Sequence, residues 1–483
     1  MVFSSLLFVF AFLVLSYAIY ACMPGIRSRN AVLLLVSLIF YAWGGPALLI
    51  LLVGMTCICY LGGRLIEGDH RRRKLWLALT LVICLGLLAV FKYTGFFLSN
   101  LQLLVGFPKV IPAITLPIGI SFYTFQLLSY VIDVYRGDVA AQKKFWLLLL
   151  YASLFHQCIA GPIIRYSDVN EELTDRRVSR EDVAAGITRF ACGLAKKALL
   201  ANGCAAIVSD MVEKPEALAE VSAMGILLAA VCYTLEIYLD FSAYSDMAIG
   251  MGLMVGFHYR ENFNYPYVAD SITDFWRRWH ISLSSFFRDY VYIPLGGNRV
   301  GKLRHIFNLF AVWFLTGLWH GASWNFVLWG LYYFLFLIIE KFVFRLSGKP
   351  SRGVLRILRT AYTLVVVVLG WMLFYYTDLT ELVTAFKGLL TLNGNPVTGV
   401  AVKTAFANNV IFLAVAVLAC TPLIPAIGRG FERLRERESA SGASRALVAA
   451  YDLVTAVIPV GLVFISLLCL VGDSYNPFLY FQF

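Results

Sequence analysis

Stretches of about twenty apolar residues, long enough to cross a bilayer as helices, recur along the whole of this chain, and short clusters of arginine and lysine separate them. In hydrocarbon every backbone N–H and C=O must find a partner within the protein, so such stretches fold as helices or as a closed barrel. A barrel would show ten-residue alternation of apolar and polar positions, which the sequence lacks. With 60% hydrophobic and 14% charged residues among 483, the chain is predicted to be an all-α polytopic membrane protein. About 11–13 membrane segments are expected, some interfacial or re-entrant.

The net charge of +11 does not indicate nucleic acid, because the basic residues sit in short connections between apolar runs. That placement is the positive-inside pattern of a membrane protein, with some attraction to anionic lipid. The ten cysteines lie mostly in apolar segments and show no metal-ligand spacing with histidine, so they read as small buried hydrophobes and no metal is expected. Residues 2–22 lack a basic leader and a small-residue cleavage site, and are expected to be a retained span.

Counting spans between basic clusters gives an orientation. Arg27 and Arg29 precede the stretch 31–65, and Arg71, Arg72, Arg73 and Lys74 follow it, so both clusters are expected in the cytoplasm with a hairpin broken at Gly44-Gly45-Pro46. Residues 76–98, 119–134 and 145–164 are further expected membrane segments, and 165–182 is a solvated polar loop or surface helix. Helical runs resume at 183–212 and 221–254. The basic loops 345–359 and 429–445 enclose two apolar runs, 361–376 and 410–427, and a last run, 446–470, leaves a tail outside. Both termini are thus expected on the extracytoplasmic side.

One stretch, 262–333, carries the candidate chemistry. Ser271 with Asp274 reads as a capping box opening a helix. On a wheel of 100° per residue, Trp276, Trp279, Leu283, Phe286, Phe287 and Tyr290 share a face; Arg277, Ser284 and Arg288 share a neighbouring one, with His280 on the border. Such a helix suits the membrane interface or the rim of a cavity. Farther on, the apolar run 306–339 puts Thr316, His320 and Ser323 on one helical face, with Gly317, Gly321 and Gly330 permitting close packing or a break. An ionisable side chain inside such a run is a functional candidate. A neutral imidazole there can take a proton from an attacking hydroxyl; a core histidine satisfied by a carbonyl is the competing reading, and the run alone leaves both open. Arg299, Lys302 and Arg304 form a basic cluster suited to an anionic cofactor head.

Ordered motifs narrow this. YLDFSAYSD (238–246), NFNYPY (262–267), FWRRWHISL (275–283) and GLWHGASWN (317–325), preceded by PIGISFYTFQ (117–126) and AGPIIRY (160–166), resemble the successive signatures of the membrane-bound O-acyltransferase family. The resemblance covers nearly the whole chain and is strongest to the membrane subunits of bacterial alginate O-acetyltransferases. It implies one membrane-embedded domain over 1–483, a ring of tilted helices around a thin centre with a funnel on each face, and a bacterial inner-membrane location. His320 matches the family's catalytic histidine and His280 its second one. The implied donor is cytoplasmic acetyl-CoA, with no tightly bound cofactor, and Arg277, Arg299, Lys302 and Arg304 are the expected donor-binding residues. The implied partners are an exported polysaccharide acceptor, a periplasmic or extracellular SGNH-type acetyltransferase and membrane lipids, with no nucleic acid. The tail 472–483, ending NPFLYFQF, resembles the aromatic C-terminus of a small partner peptide in the related D-alanyl system. On that likeness Tyr480 is a candidate acyl relay beside the reading of the tail as an aromatic anchor. D-alanyl transfer to teichoic acid, transport of a lipid-linked sugar and a non-catalytic scaffold remain open alternatives.

Overall fold

The computed structural model describes all residues except 1, 107–110, 112–113, 159–160, 213, 347–350, 437–441, 472–477 and 480–483. Among the described residues the secondary structure is helical, without strands. The helices follow in the order α1 (Leu7–Cys22), α2 (Ile26–Ala42), α3 (Pro46–Gly68), α4 (Arg73–Val105), α5 (Ile120–Arg136), α6 (Phe145–Ser153), α7 (Arg180–Val212) and α8 (Ala223–Met254). Two short helices, α9 (Ile272–Arg278) and α10 (Ile281–Phe287), precede α11 (Lys302–His320), α12 (Trp324–Val343), α13 (Gly353–Tyr375), α14 (Leu379–Leu389), α15 (Val400–Ala419), α16 (Leu423–Arg435) and α17 (Gly442–Leu470). Eight of these are long and apolar enough to cross a membrane, and the chain is a multi-pass membrane protein.

Local signals explain most boundaries. The hairpin expected in 31–65 is present: Gly45 takes φ +147°, open to a residue without Cβ, and Pro46 opens α3 at its first position. Ser179 caps α7, its hydroxyl accepting Asp182 N–H while the Asp182 carboxylate accepts Ser179 N–H. The polar segment before it is not wholly solvated, however. Arg176 is buried and donates to Val255 O, to Tyr20 Oη and to Asn30 Oδ1, tying the segment to the N-terminal helices.

Three expected segments differ. Among the described residues of the run 145–164 the helix is the nine-residue α6, about 14 Å long and too short to cross. The run 410–427 is displaced: the helix is Val400–Ala419, and Ile427 falls in the amphipathic α16. Third, 306–339 is not one helix. α11 ends at His320, Ser323 is the N-cap of α12, and the two helices pack as a hairpin, so Ser323 does not share a face with Thr316 and His320.

The centre is built on α8, 78% of whose apolar window is buried. α7 approaches it at glycines: a Cβ on Gly186 would lie 2.6 Å from Gly250 O, and one on Gly193 2.7 Å from Ala243 O. Charges in this apolar layer are costly unless paired. Lys197 pairs with Asp240 at 2.7 Å, and Lys196 and Arg189 pair with Asp246 at 2.6 and 3.0 Å. Successive lysines reach two carboxylates because 196–201 is wound as a π-helix, a local widening common at functional sites.

The α11–α12 hairpin is equally close. A Cβ on Gly317 would lie 2.4 Å from Phe326 O, and one on Gly330 2.4 Å from Trp313 O. Backbone cannot yield as a side-chain tip can. Gly317→Val is therefore expected to lower the stability of the protein in detergent by about 1–3 kcal/mol or more, read as a lowered thermal midpoint. Gly86→Val, where a Cβ meets open space, is the control.

Candidate active site

The site begins with a break. The predicted helix through 275–290 is interrupted: α9 stops at Arg278, Trp279 is extended, and His280 adopts φ +44° as the residue before α10. Left-handed backbone at a non-glycine residue costs about 1–3 kcal/mol and persists only where its surroundings enforce it. Here the enforcing element is the segment 262–264, which runs alongside. Asn262 O accepts Ile281 N–H at 2.9 Å, and Arg278 O accepts Asn264 N–H at 2.9 Å, bracketing the histidine. The Asn262 side chain, fully buried, completes the clamp: Oδ1 accepts Ser282 N–H at 3.1 Å and Ser282 Oγ–H at 2.9 Å, and lies 3.3 Å from His280 Nδ1. An Nδ1–H donated to that oxygen leaves Nε2 as the basic nitrogen.

The entry angle of α9 is fixed from both ends. Ser271 Oγ accepts Asp274 N–H as the sequence predicts. The buried Glu340 carboxylate of α12 accepts Ile272 N–H, Thr273 N–H and Thr273 Oγ–H, satisfying the open N-terminus of α9. Although the helix is broken, Trp276, Trp279, Leu283, Phe286 and Phe287 are all buried, so the predicted apolar face survives.

His320 ends α11 inside an aromatic box. Its ring stands edge-on to Trp319, Trp329 and Phe374, with centroids at 5.0, 4.8 and 5.4 Å. Trp319 is also 5.7 Å from the His280 ring, and Phe241 packs edge-on to His280 at 4.8 Å. One indole thus touches both imidazoles, which are 1% and 4% exposed for His280 and His320. A cavity of about 420 Å³ leads to His280, lined by Thr273, Arg277, Ser284, Arg288 and Thr316 among others. A second, of about 440 Å³, is lined by Arg189, Lys196, Asp246, Glu261 and Tyr265, and meets the first at Ile281.

The predicted residues are therefore distributed unequally. His280 and Arg277 line this cavity, and His320 lies behind it, joined to His280 through ring contacts with Trp319. Arg299, Lys302 and Arg304 do not line it; they lie at the start of α11, with Lys302 over the Phe342 ring and Arg304 over Phe307. Tyr480 lies outside the described residues. Its neighbours are placed: Phe478 is fully buried against Tyr244 and the Lys197 ammonium, and Leu479 N–H donates to Asp240 Oδ2 at 2.8 Å. Sequence reasoning assigned no role to Asn262, Lys92 or Glu340. Two carried a signal: Asn262 as the first residue of the NFNYPY motif and Lys92 as a lone cation deep in an apolar run.

Fold and site are those of a membrane-embedded enzyme, a multi-pass helical body whose basic cavity is bordered by one buried imidazole, His280, with a second, His320, close behind it. The model of the membrane-bound O-acyltransferase family matches residues 144–380. The chain is 37% identical over 508 residues to the probable alginate O-acetylase of Azotobacter vinelandii, with both chains covered completely. It is 34% identical over 428 residues to a peptidoglycan O-acetyltransferase of Helicobacter pylori, covering 82% of this chain and 80% of that one. A teichoic acid D-alanyltransferase of Bacillus subtilis is 29% identical over 274 residues, 53% of this chain and 68% of the other. The chain belongs to the membrane-bound O-acyltransferase family, and it is an acyltransferase.

Proposed function

We propose that this protein moves an acetyl group from a cytoplasmic donor, acetyl-CoA, across the bacterial inner membrane for O-acetylation of an exported polysaccharide. The observation that carries the reading is that two buried histidines share the Trp319 ring as a neighbour, with His280 opening on a cavity that bears Arg277 and Arg288. The arginines suit the phosphates of a nucleotide donor. Full-length similarity to O-acetylases, against about half the chain for the D-alanyl relative, favours acetyl over D-alanyl. A transporter would be expected to show inverted repeats, and the sequence has none. The positive-inside pattern of the basic loops supports both termini lying outside.

In this reading His320 is the base. As the attacking hydroxyl oxygen bonds to the thioester carbonyl carbon, His320 takes its proton; the carbon–sulfur bond breaks, and the departing thiolate receives the proton. His280, oriented by Asn262, assists. The attacking hydroxyl is that of Tyr480, whose neighbour Leu479 is tied to Asp240, the residue beside Phe241, the ring against His280. The acetylated tyrosine then passes its acyl group to a hydroxyl at the outer face, where an SGNH-type acetyltransferase delivers it to the glycan.

The test uses membrane vesicles holding the full chain and acetyl-CoA labelled in its acetyl group. Label is expected on the C-terminal peptide of the wild type and none on Tyr480→Phe, whose cells export unacetylated polysaccharide. Normal acetylation in Tyr480→Phe would remove the relay and leave the histidine chemistry to be judged separately.

A further inference from the structure

A helix that ends inside a membrane leaves its last carbonyls without water to satisfy them. α11 ends in this way at His320, where Gly321 turns to extended backbone with φ −174°. Its final carbonyls are met from another helix altogether. Tyr93 Oη–H donates to Leu318 O at 2.7 Å, and the Lys92 ammonium donates to Trp319 O and, at 3.2 Å, to Ser121 Oγ. Both donors are on α4, which elsewhere stands off from α11 across an apolar cavity of about 720 Å³ lined by Leu88, Phe97, Phe125, Leu315 and Trp319 among others. A third tie, Asn100 Oδ1 accepting Trp324 Nε1–H at 2.9 Å, holds the start of α12.

Lys92 is buried, and among the described residues no carboxylate pairs with it, whereas buried Lys197 has Asp240. What answers its charge is the negative end of the α11 dipole, with the Trp319 ring 5.8 Å away. A bare ammonium in hydrocarbon is retained at a cost that packing alone would remove. The two carbonyls it and Tyr93 hold belong to the two residues immediately before His320.

We infer that Lys92 and Tyr93 are positioning residues for His320: they cap the end of α11 from α4 and thereby set the direction of the imidazole. This rests on the reading of His320 as the catalytic base. Displacing a catalytic group by about 1 Å costs about 100-fold in rate, and capping geometry acts on turnover and leaves donor binding alone.

The experiment measures initial rates against acetyl-CoA concentration in vesicles of wild type, Lys92→Met, Lys92→Arg, Tyr93→Phe and His320→Ala, each normalised to inserted, folded protein. Lys92→Met is expected to lower kcat by about 100-fold with the donor KM unchanged. Tyr93→Phe should lower kcat less, and Lys92→Arg, which keeps charge and donors, should recover part of the loss. A merely structural role would reduce the amount of folded protein and leave kcat per folded molecule intact. If Lys92→Met fails to accumulate, Lys92→Gln and Tyr93→Phe decide the matter by the same split. Wild-type kcat in the lysine and tyrosine variants beside an inactive His320→Ala overturns the inference alone. An active His320→Ala overturns the catalytic reading, and the inference with it.

Discussion

Alanine at His320 is expected to reduce acyl transfer by about 100- to 10,000-fold, the span supplied by positioned general-base catalysis, while the protein still inserts and folds. Folding should survive because the contact of the imidazole with Trp329 is not what brings the two backbones of the hairpin together. That work falls to the Gly317–Gly330 approach and to the donors from α4, neither of which involves the His320 side chain. O-acetyl groups on the exported glycan, measured against membrane abundance of the variant, give the result. Unaltered acetylation would mean that His320 is a packed core histidine within its aromatic box.

Asn262→Ala should lower kcat/KM by about 10- to 100-fold, by analogy with the loss on removing a partner that orients a metal-bound imidazole. Its amide oxygen meets Ser282 N, Ser282 Oγ and His280 Nδ1 at once, at the residue whose left-handed backbone most needs support. Alanine would leave buried donors unmatched and free His280 to relax toward a continuous helix. Asn262→Asp keeps the oxygen acceptors, so it should retain more activity than alanine. Equal losses in both would point to the amide nitrogen or to side-chain shape instead.

The sequence made legible what is local. The Gly45-Pro46 break, the Ser271 cap and the apolar face of 276–287 each depend on residues within a turn or two of one another, and all are present. Ordered motifs brought out His280 and His320. Hidden features depend on distant partners. The break at Trp279–His280 is imposed by Asn262, 18 residues earlier, so periodicity carried straight through it. The fold of 306–339 into a hairpin was equally opaque, since both arms are apolar and its glycines suit a straight packed helix as well as a turn. The capping of α11 joins residues 227 apart, and no window on the sequence contains both. Donor-binding candidates were chosen by charge density, which found Arg277 at the cavity but equally drew in Arg299, Lys302 and Arg304.

The remote support of His320 also sets a timetable for the enzyme's birth. Lys92 is inserted early, α11 midway, and Phe374, which closes the aromatic box, only after some 280 further residues have followed Lys92, roughly 15 to 60 seconds of synthesis. Until then the nascent helix end has its donors but not its walls, and the seat at Asp240 awaits Phe478 and Leu479 from the last stretch to be made. With His320 as the base, a chain truncated before α13 is therefore expected to show no acyl transfer although α4 and α11 are both present.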